Sequence, residues 1–155
     1  MRRKKLSGAA CPIARSLDVI GDWWSLLIVR DAMRGTRRFS DFQKGLGVSK
    51  NILTRRLRSL VESGVLEQLP AADSAYQEYR LSDKGRALYP VLVSLAQWGQ
   101  DNAPTDGPQA RLVDRAHGQP VPKLQVRASD GRVLQPGDSM MVRTARLKLR
   151  EVASR

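Results

Sequence analysis

The residues of this 155-residue chain best suited to specific chemistry lie in one short stretch. Asn51, Thr54, Arg55 and Arg58 fall at i, i+3, i+4 and i+7, so on a helix they form one continuous face. That face carries an amide, a hydroxyl and two guanidiniums. Arg can grip a guanine edge bidentately, Asn an adenine edge, and Thr can meet a phosphate or a thymine methyl. Leu53, Leu57 and Leu60, with Val61, form the apolar stripe opposite. A solvated helix surface would also be polar outside, but here the exposed face holds no acid before Glu62. The basic character continues upstream. Across residues 34–58, Arg34, Arg37, Arg38, Lys44, Lys50, Arg55, Arg56 and Arg58 stand against a single acid, Asp41. Lys50, Arg37 and Arg38 suit phosphates, which position a protein without reading sequence. Ser49, at the head of the helix, joins the candidate contact set.

The elements that would position this face follow from local signals. Pro12 suits the first turn of a helix, in which Ile13, Leu17 and Ile20 share a side. Gly21 stops it and Asp22 can cap the next helix, running from Trp23 to Met33 and apolar around most of its girth. A short third helix starts near Ser40, and Gly45 and Gly47 make the turn after it. Ser49 then caps a fourth helix, Lys50 to about Ser63, closed by Gly64. Two helices joined by a short glycine-containing turn make a helix-turn-helix. Residues 65–69 and 76–81 read as a β-hairpin with its tip at Asp73-Ser74-Ala75, and Arg80 near the strand end is a candidate phosphate contact. A long helix from Lys84 to about Asp101 follows, with Leu88, Val91, Leu92, Leu95 and Trp98 at steps of three and four.

The expected architecture is α+β: a winged helix-turn-helix domain with a C-terminal dimerisation helix and a small β-hairpin extension. The expected organisation is a disordered basic arm over 1–10, the domain over 11–102, a linker over 103–110, a β-rich extension over 111–145 and a flexible basic tail over 146–155. In the extension, Leu124–Arg127 and Arg132–Leu134 flank the turn Ser129-Asp130-Gly131, and Met140–Val142 suggests a further strand.

Composition agrees with a polyanionic partner. Lys and Arg number 27 against 15 acids, a formal charge of +12, and this surplus favours nucleic acid unless it serves only solubility. No apolar run approaches the roughly 20 residues of a membrane span, and no apolar stretch follows the basic start as a secretion signal requires. A cytoplasmic, nucleoid-associated protein is expected, with no membrane partner. One cysteine and one histidine, His117, support neither a disulfide framework nor a metal site. No catalytic cluster or glycine-rich phosphate loop is present, so no enzyme activity and no cofactor are expected.

A lone reading helix offers little contact area, whereas a two-fold pair presents two helices to half-sites about one DNA turn apart. The seam is expected on the last helix through Leu88, Leu92, Leu95 and Trp98, joined by Ile13 and Leu17 of the first. The alternative is that this stripe packs on the chain's own core.

Several ordered motifs then resemble one family. Cys11-Pro12, Ile20-Gly21-Asp22-Trp23-Trp24-Ser25-Leu26-Leu27-Ile28, Arg38-Phe39-Ser40-Asp41-Phe42, Leu53-Thr54-Arg55-Arg56-Leu57 with Leu60, Gly64-Val65-Leu66, and Tyr79-Arg80-Leu81-Ser82-Asp83-Lys84-Gly85 look like the signature of HxlR-type regulators, relatives of the MarR winged-helix proteins. The resemblance covers about residues 11–101. It implies a winged helix, a homodimer, a palindromic double-stranded DNA operator and usually repression. It also implies that Cys11 is a candidate redox or electrophile sensor. The start of a helix favours a thiolate, although a free Cys is often only a small apolar filler. Trp23 and Trp24 could line a small-molecule effector pocket, or simply pack. The competing reading is an architectural or RNA-binding winged helix without sequence-specific regulation.

Overall fold

The computed structural model describes residues 6–71, 76–103, 105–107 and 110–142. Residues 1–5 of the arm, the hairpin tip Asp73-Ser74-Ala75 and the tail 146–155 lie outside the described residues. The chain divides into two compact units, Met1–Val121 and Pro122–Arg155.

The first unit runs α1 (Pro12–Ile20), α2 (Trp23–Met33), α3 (Phe39–Leu46), α4 (Lys50–Glu62), β1 (Leu66–Pro70), β2 (Gln77–Leu81), α5 (Asp83–Arg86) and α6 (Tyr89–Asn102). Residues 6–10, expected to be disordered, make specific contacts with α1. Leu6 N–H donates to Asp18 Oδ1 at 3.1 Å, and Arg15 donates to the carbonyls of Ala9 and Ala10.

The helices start where their caps say they should. Asp22 accepts from Trp24 N–H at 3.0 Å to open α2, and Ser49 accepts from Ile52 N–H at 3.4 Å to open α4. Gly47 ends α3 with φ 61°, a left-handed conformation that makes the tight turn into α4 and disfavours any side chain. The core gathers Ile28 and Val29 of α2, Phe42 of α3, Leu53, Leu57 and Leu60 of α4, and Val65 and Leu66 at the hairpin base. Burying each of these large side chains contributes on the order of 1.5–3 kcal/mol, so the stripe of α4 is held firmly inward.

β1 and β2 pair antiparallel, with Leu66 opposite Leu81 and Pro70 opposite Gln77. β2 is also tied to the loop before α3. Tyr79 N–H donates to Arg37 C=O at 2.8 Å, and Arg38 bridges Glu78 in antiparallel fashion. The rings of Phe42 and Tyr79 meet edge to face at 6.4 Å, fixing the hairpin to α3.

Below the hairpin, Gly85 comes so close to the chain that an added Cβ would lie 2.3 Å from Val65 O. Ser82 Oγ donates there to Gly64 C=O at 2.6 Å, and Lys84 Nζ to Ser63 C=O at 2.7 Å, so α5 plugs the C-terminal end of α4.

The single long helix expected from Lys84 is split into α5 and α6. The backbone stays α-like at Ala87 and Leu88, but Pro90 has no N–H to continue the ladder. Near the end of α6 the side-chain amide of Gln100 donates to Ala110 C=O at 2.8 Å, and beyond the helix Val113 bridges Pro120 around a turn in which Asp114 Oδ1 accepts from Ala116 and His117 N–H.

In the second unit the expected turn forms, but the flanking strands shrink to one bridge, Arg127 to Val133. Ala128 N–H donates to Arg132 C=O at 3.0 Å and Leu134 N–H to Val126 C=O at 2.8 Å. Met140–Val142 forms no strand. A lone two-stranded ribbon is marginal without a third strand or a packed helix, and Pro122 and Pro136 cannot donate to a ladder.

Candidate nucleic-acid interface

The buried stripe of α4 fixes what its other side presents. Asn51, Thr54, Arg55 and Arg58 are all exposed, while Leu53, Leu57 and Leu60 are buried. Among the described residues, the side chains of Asn51, Arg55 and Arg58 have no hydrogen bond or ion pair, and neither do those of Arg37 and Lys50. Their donors are therefore available to an outside acceptor. Thr54 differs, because its hydroxyl donates to Lys50 C=O at 2.8 Å. In that rotamer its proton is spent, leaving a methyl and acceptor lone pairs. Ser49 is exposed, but its oxygen also caps the helix.

The remaining candidates flank α4. Arg37 and Arg38 are exposed in the loop before α3, Arg38 immediately preceding that helix, and both backbones are tied to β2. Arg80 stands on β2, where its guanidinium meets Glu78 at 3.4 Å with about half of its side chain exposed. A basic loop and a strand are thereby joined edge to edge. The arrangement can offer bidentate guanidinium forks and an amide to base edges, with cations beside them for phosphates.

Two basic residues serve the fold itself. Arg56 is half-buried and pairs with Asp22 at 2.8 Å. Arg30 donates to the buried Asp31 at 2.8 Å, while Arg34 stays exposed and only approaches that carboxylate at 3.9 Å. The sequence counted Arg34 and Arg56 in the basic surplus. Their place could have been anticipated for Arg56 alone, because it lies toward the Leu53–Leu57 side of the helix.

The expected dimer residues divide into two groups. Leu88 and Leu92 pack, half-buried, against the core, the alternative foreseen for the whole stripe. Ile13 and Leu17 on α1, and Val91, Leu95 and Trp98 on α6, are exposed, Trp98 by 63%. Trp24 packs against the core, whereas Trp23 is 74% exposed and meets Trp24 edge to face at 6.3 Å. Cys11 is exposed at the N-cap of α1, with no capping hydrogen bond from its side chain. Among the described residues, no cluster of three potential metal ligands exists, and no helix is long and apolar enough to cross a membrane.

Residues 19–106 match the family described as HxlR-like helix-turn-helix. The chain is 40% identical over 102 residues to the uncharacterized HTH-type transcriptional regulator Rv3095 of Mycobacterium tuberculosis (strain ATCC 25618 / H37Rv), covering 64% of this chain and 65% of that one. The match thus spans just under two thirds of the curated relative. Among solved structures, the crystal structure of PA1607, described as a candidate transcription factor, is 56% identical with a TM-score of 0.87, covering 90% of this chain and 99% of that one. The redox regulator HypR in its oxidized form is 29% identical with a TM-score of 0.56, covering 61% of this chain and 100% of that one. The α+β winged-helix architecture is common to the two solved structures, and all three proteins are named as transcription factors or regulators rather than enzymes.

Proposed function

The chain belongs to the HxlR-like helix-turn-helix family, and on that premise we propose that it is a sequence-specific DNA-binding transcriptional regulator. It acts as a homodimer on a palindromic operator, with repression as its mode. The observation that carries this reading is the exposed side of α4, where Asn51, Arg55 and Arg58 are unpaired while the opposite stripe is locked into the core. α4 enters the major groove, Arg37, Arg38 and Lys50 hold phosphates, and the hairpin lies beside them as the wing with Arg80 on its strand. The exposed apolar residues of α1 and α6 pair two copies. Residues 11–102 do this work, and such a role places the protein at the nucleoid.

Mobility shift against the DNA upstream of its own and neighbouring genes tests the reading, with footprinting to find the operator. A two-fold symmetric footprint is expected. Binding that is weak, equal on every sequence and steeply salt-dependent would instead favour an architectural role, and preference for RNA an RNA-binding one.

A redox response through Cys11 is a second reading, favoured by the exposure of that thiol beside a helix start and by the likeness to HypR. If Cys11→Ser leaves release from DNA by diamide unchanged, the cysteine is not the sensor.

A further inference from the structure

The second unit has a defined turn and no core of its own. Arg127 bridges Val133, with backbone hydrogen bonds of 3.0 and 2.8 Å on either side. Among the described residues 122–142, however, none is buried, and the buried apolar side chains of the chain all lie between Ile20 and Val93. Because Arg127 stands opposite Val133, Val126 and Leu134 belong to the other face of the ribbon, and Leu124, two residues before Val126, shares it. That face is apolar. Val126 is 68% exposed, Leu124 is exposed and Leu134 half-buried. Met140 and Met141 follow the next turn and are exposed as well. A two-stranded ribbon of this kind is marginal in water unless its apolar face packs on something. It is nevertheless a shared element. The 90% of this chain matched by PA1607 exceeds the first unit, which ends at Val121, so the likeness runs into the second.

We propose that the second unit is a further dimerisation element, whose apolar face packs on the α1 and α6 stripe of a second copy of this chain. The proposal rests on the homodimer reading above. The stripe, with Leu95 and Trp98 at its centre, is exposed in the single chain, and so is the ribbon face, so each copy presents two apolar surfaces. In a two-fold pair each ribbon covers the partner's stripe and each stripe receives the partner's ribbon, a contact that closes at two copies. The two surfaces are also continuous along the chain. α6 bears the stripe, and near its end Gln100 holds Ala110 C=O, so the segment leading to the ribbon starts from the interface helix itself. DNA is the poorer occupant. Arg127 donates to Gly131 C=O and Gln125 Oε1, and Arg132 to Asp130, so the ribbon spends its guanidiniums internally.

Two full-length chains with one cysteine each decide the contact, both carrying Cys11→Ser, which removes the chain's own thiol. One has Val126→Cys, and the other, tagged to differ in mass, has Leu95→Cys. Co-expressed and treated with a short bis-maleimide, they should give a crosslinked heterodimer. Arg127→Cys, on the opposite face of the ribbon, should give little in place of Val126→Cys. Val126→Asp is the second arm, read by sedimentation equilibrium. It puts a carboxylate where an apolar side chain should be covered, and should raise the dimer dissociation constant at least about tenfold. Its far-UV circular dichroism should match wild type, because Val126 is exposed in the single chain. No link between copies, or a wild-type dimer that Val126→Asp leaves equally stable, overturns the proposal while the dimer reading stands. A link formed only within a chain carrying both cysteines also overturns it, by placing the ribbon on its own helix. Weaker operator binding by Val126→Asp at unchanged dimer stability would assign the ribbon to DNA instead. A wild type that is monomeric at every concentration ends the dimer reading and this inference with it.

Discussion

The Arg56 guanidinium donates to Asp22 Oδ2 at 2.8 Å, while Asp22 Oδ1 accepts from Trp24 N–H at 3.0 Å. One carboxylate therefore caps α2 and anchors the middle of α4. Side chains next to each other in the chain, Arg55 and Arg56, have opposite fates: one faces solvent and the other is half-buried in an ion pair. Asp22→Ala removes the cap, worth about 1 kcal/mol, and leaves Arg56 without its partner. It should destabilise by about 2–3 kcal/mol in denaturant unfolding. Arg56→Ala should lower the melting temperature while the folded fraction keeps near-normal affinity for DNA. A loss of affinity as large as that of Arg55→Ala would place Arg56 at the DNA instead.

Arg55→Ala should cost about 1–3 kcal/mol of operator binding and relax the preference at the base pair it reads. Lys50→Ala should weaken binding on all sequences alike and reduce the slope of log affinity against log salt by about one. Mobility shifts over a salt series, on operator and on scrambled DNA, separate the two behaviours. Identical effects of both variants would remove the distinction between reader and phosphate holder.

The exposed stripe of α6 and its neighbours on α1 carry the expected pairing of two copies. Trp98→Glu puts a charge where an apolar ring is 63% exposed in the single chain, so the fold should survive. Sedimentation should then show a monomer at concentrations where wild type is a dimer, and operator affinity should fall with it. A wild type that is monomeric at every concentration would end the dimer reading.

Gly85→Ala should be strongly destabilising, because its Cβ would sit 2.3 Å from the backbone carbonyl oxygen of Val65. The neighbour is backbone rather than a flexible side-chain end, so relief requires shifting α5 or the hairpin base. A loss of about 1–3 kcal/mol is expected from such overpacking. Thermal unfolding of Gly85→Ala beside Gly99→Ala, where the space is open, measures the difference.

Burial raises the pKa of Tyr79 above the ordinary tyrosine value of 10.0. The folded protein thus holds this proton more tightly than the unfolded chain. Its contribution to stability is complete below pH 10 and is lost as pH rises from there through the raised value. Tyr79→Phe should flatten the alkaline fall in stability, read by unfolding at pH 9 and pH 11. An unchanged alkaline profile would mean that other groups govern it.

Much of this architecture was legible in the chain itself. Asp22, Ser49, Pro12 and Gly47 announce helix ends through hydrogen bonds and backbone preferences that act within a few residues. The Leu53, Leu57, Leu60 stripe determined which face of α4 could be exposed, because period and burial are tied on a helix. Pro90 also gave a local signal for the break before α6, outweighed by the apolar spacing around it. What only the tertiary structure decided concerns groups brought together from distant segments. Asp22 withdraws Arg56 from the basic face, and β2 takes up Arg37 and Arg38 as a neighbouring edge. Leu88 and Leu92 turn inward while Leu95 and Trp98 stay outside. Arg37 and Arg80, 43 residues apart, both line one groove, as does Tyr89. Local hydrogen bonding and periodicity are properties of a segment, whereas partner choice among like charges and apolar side chains depends on which surfaces the packed core leaves facing each other.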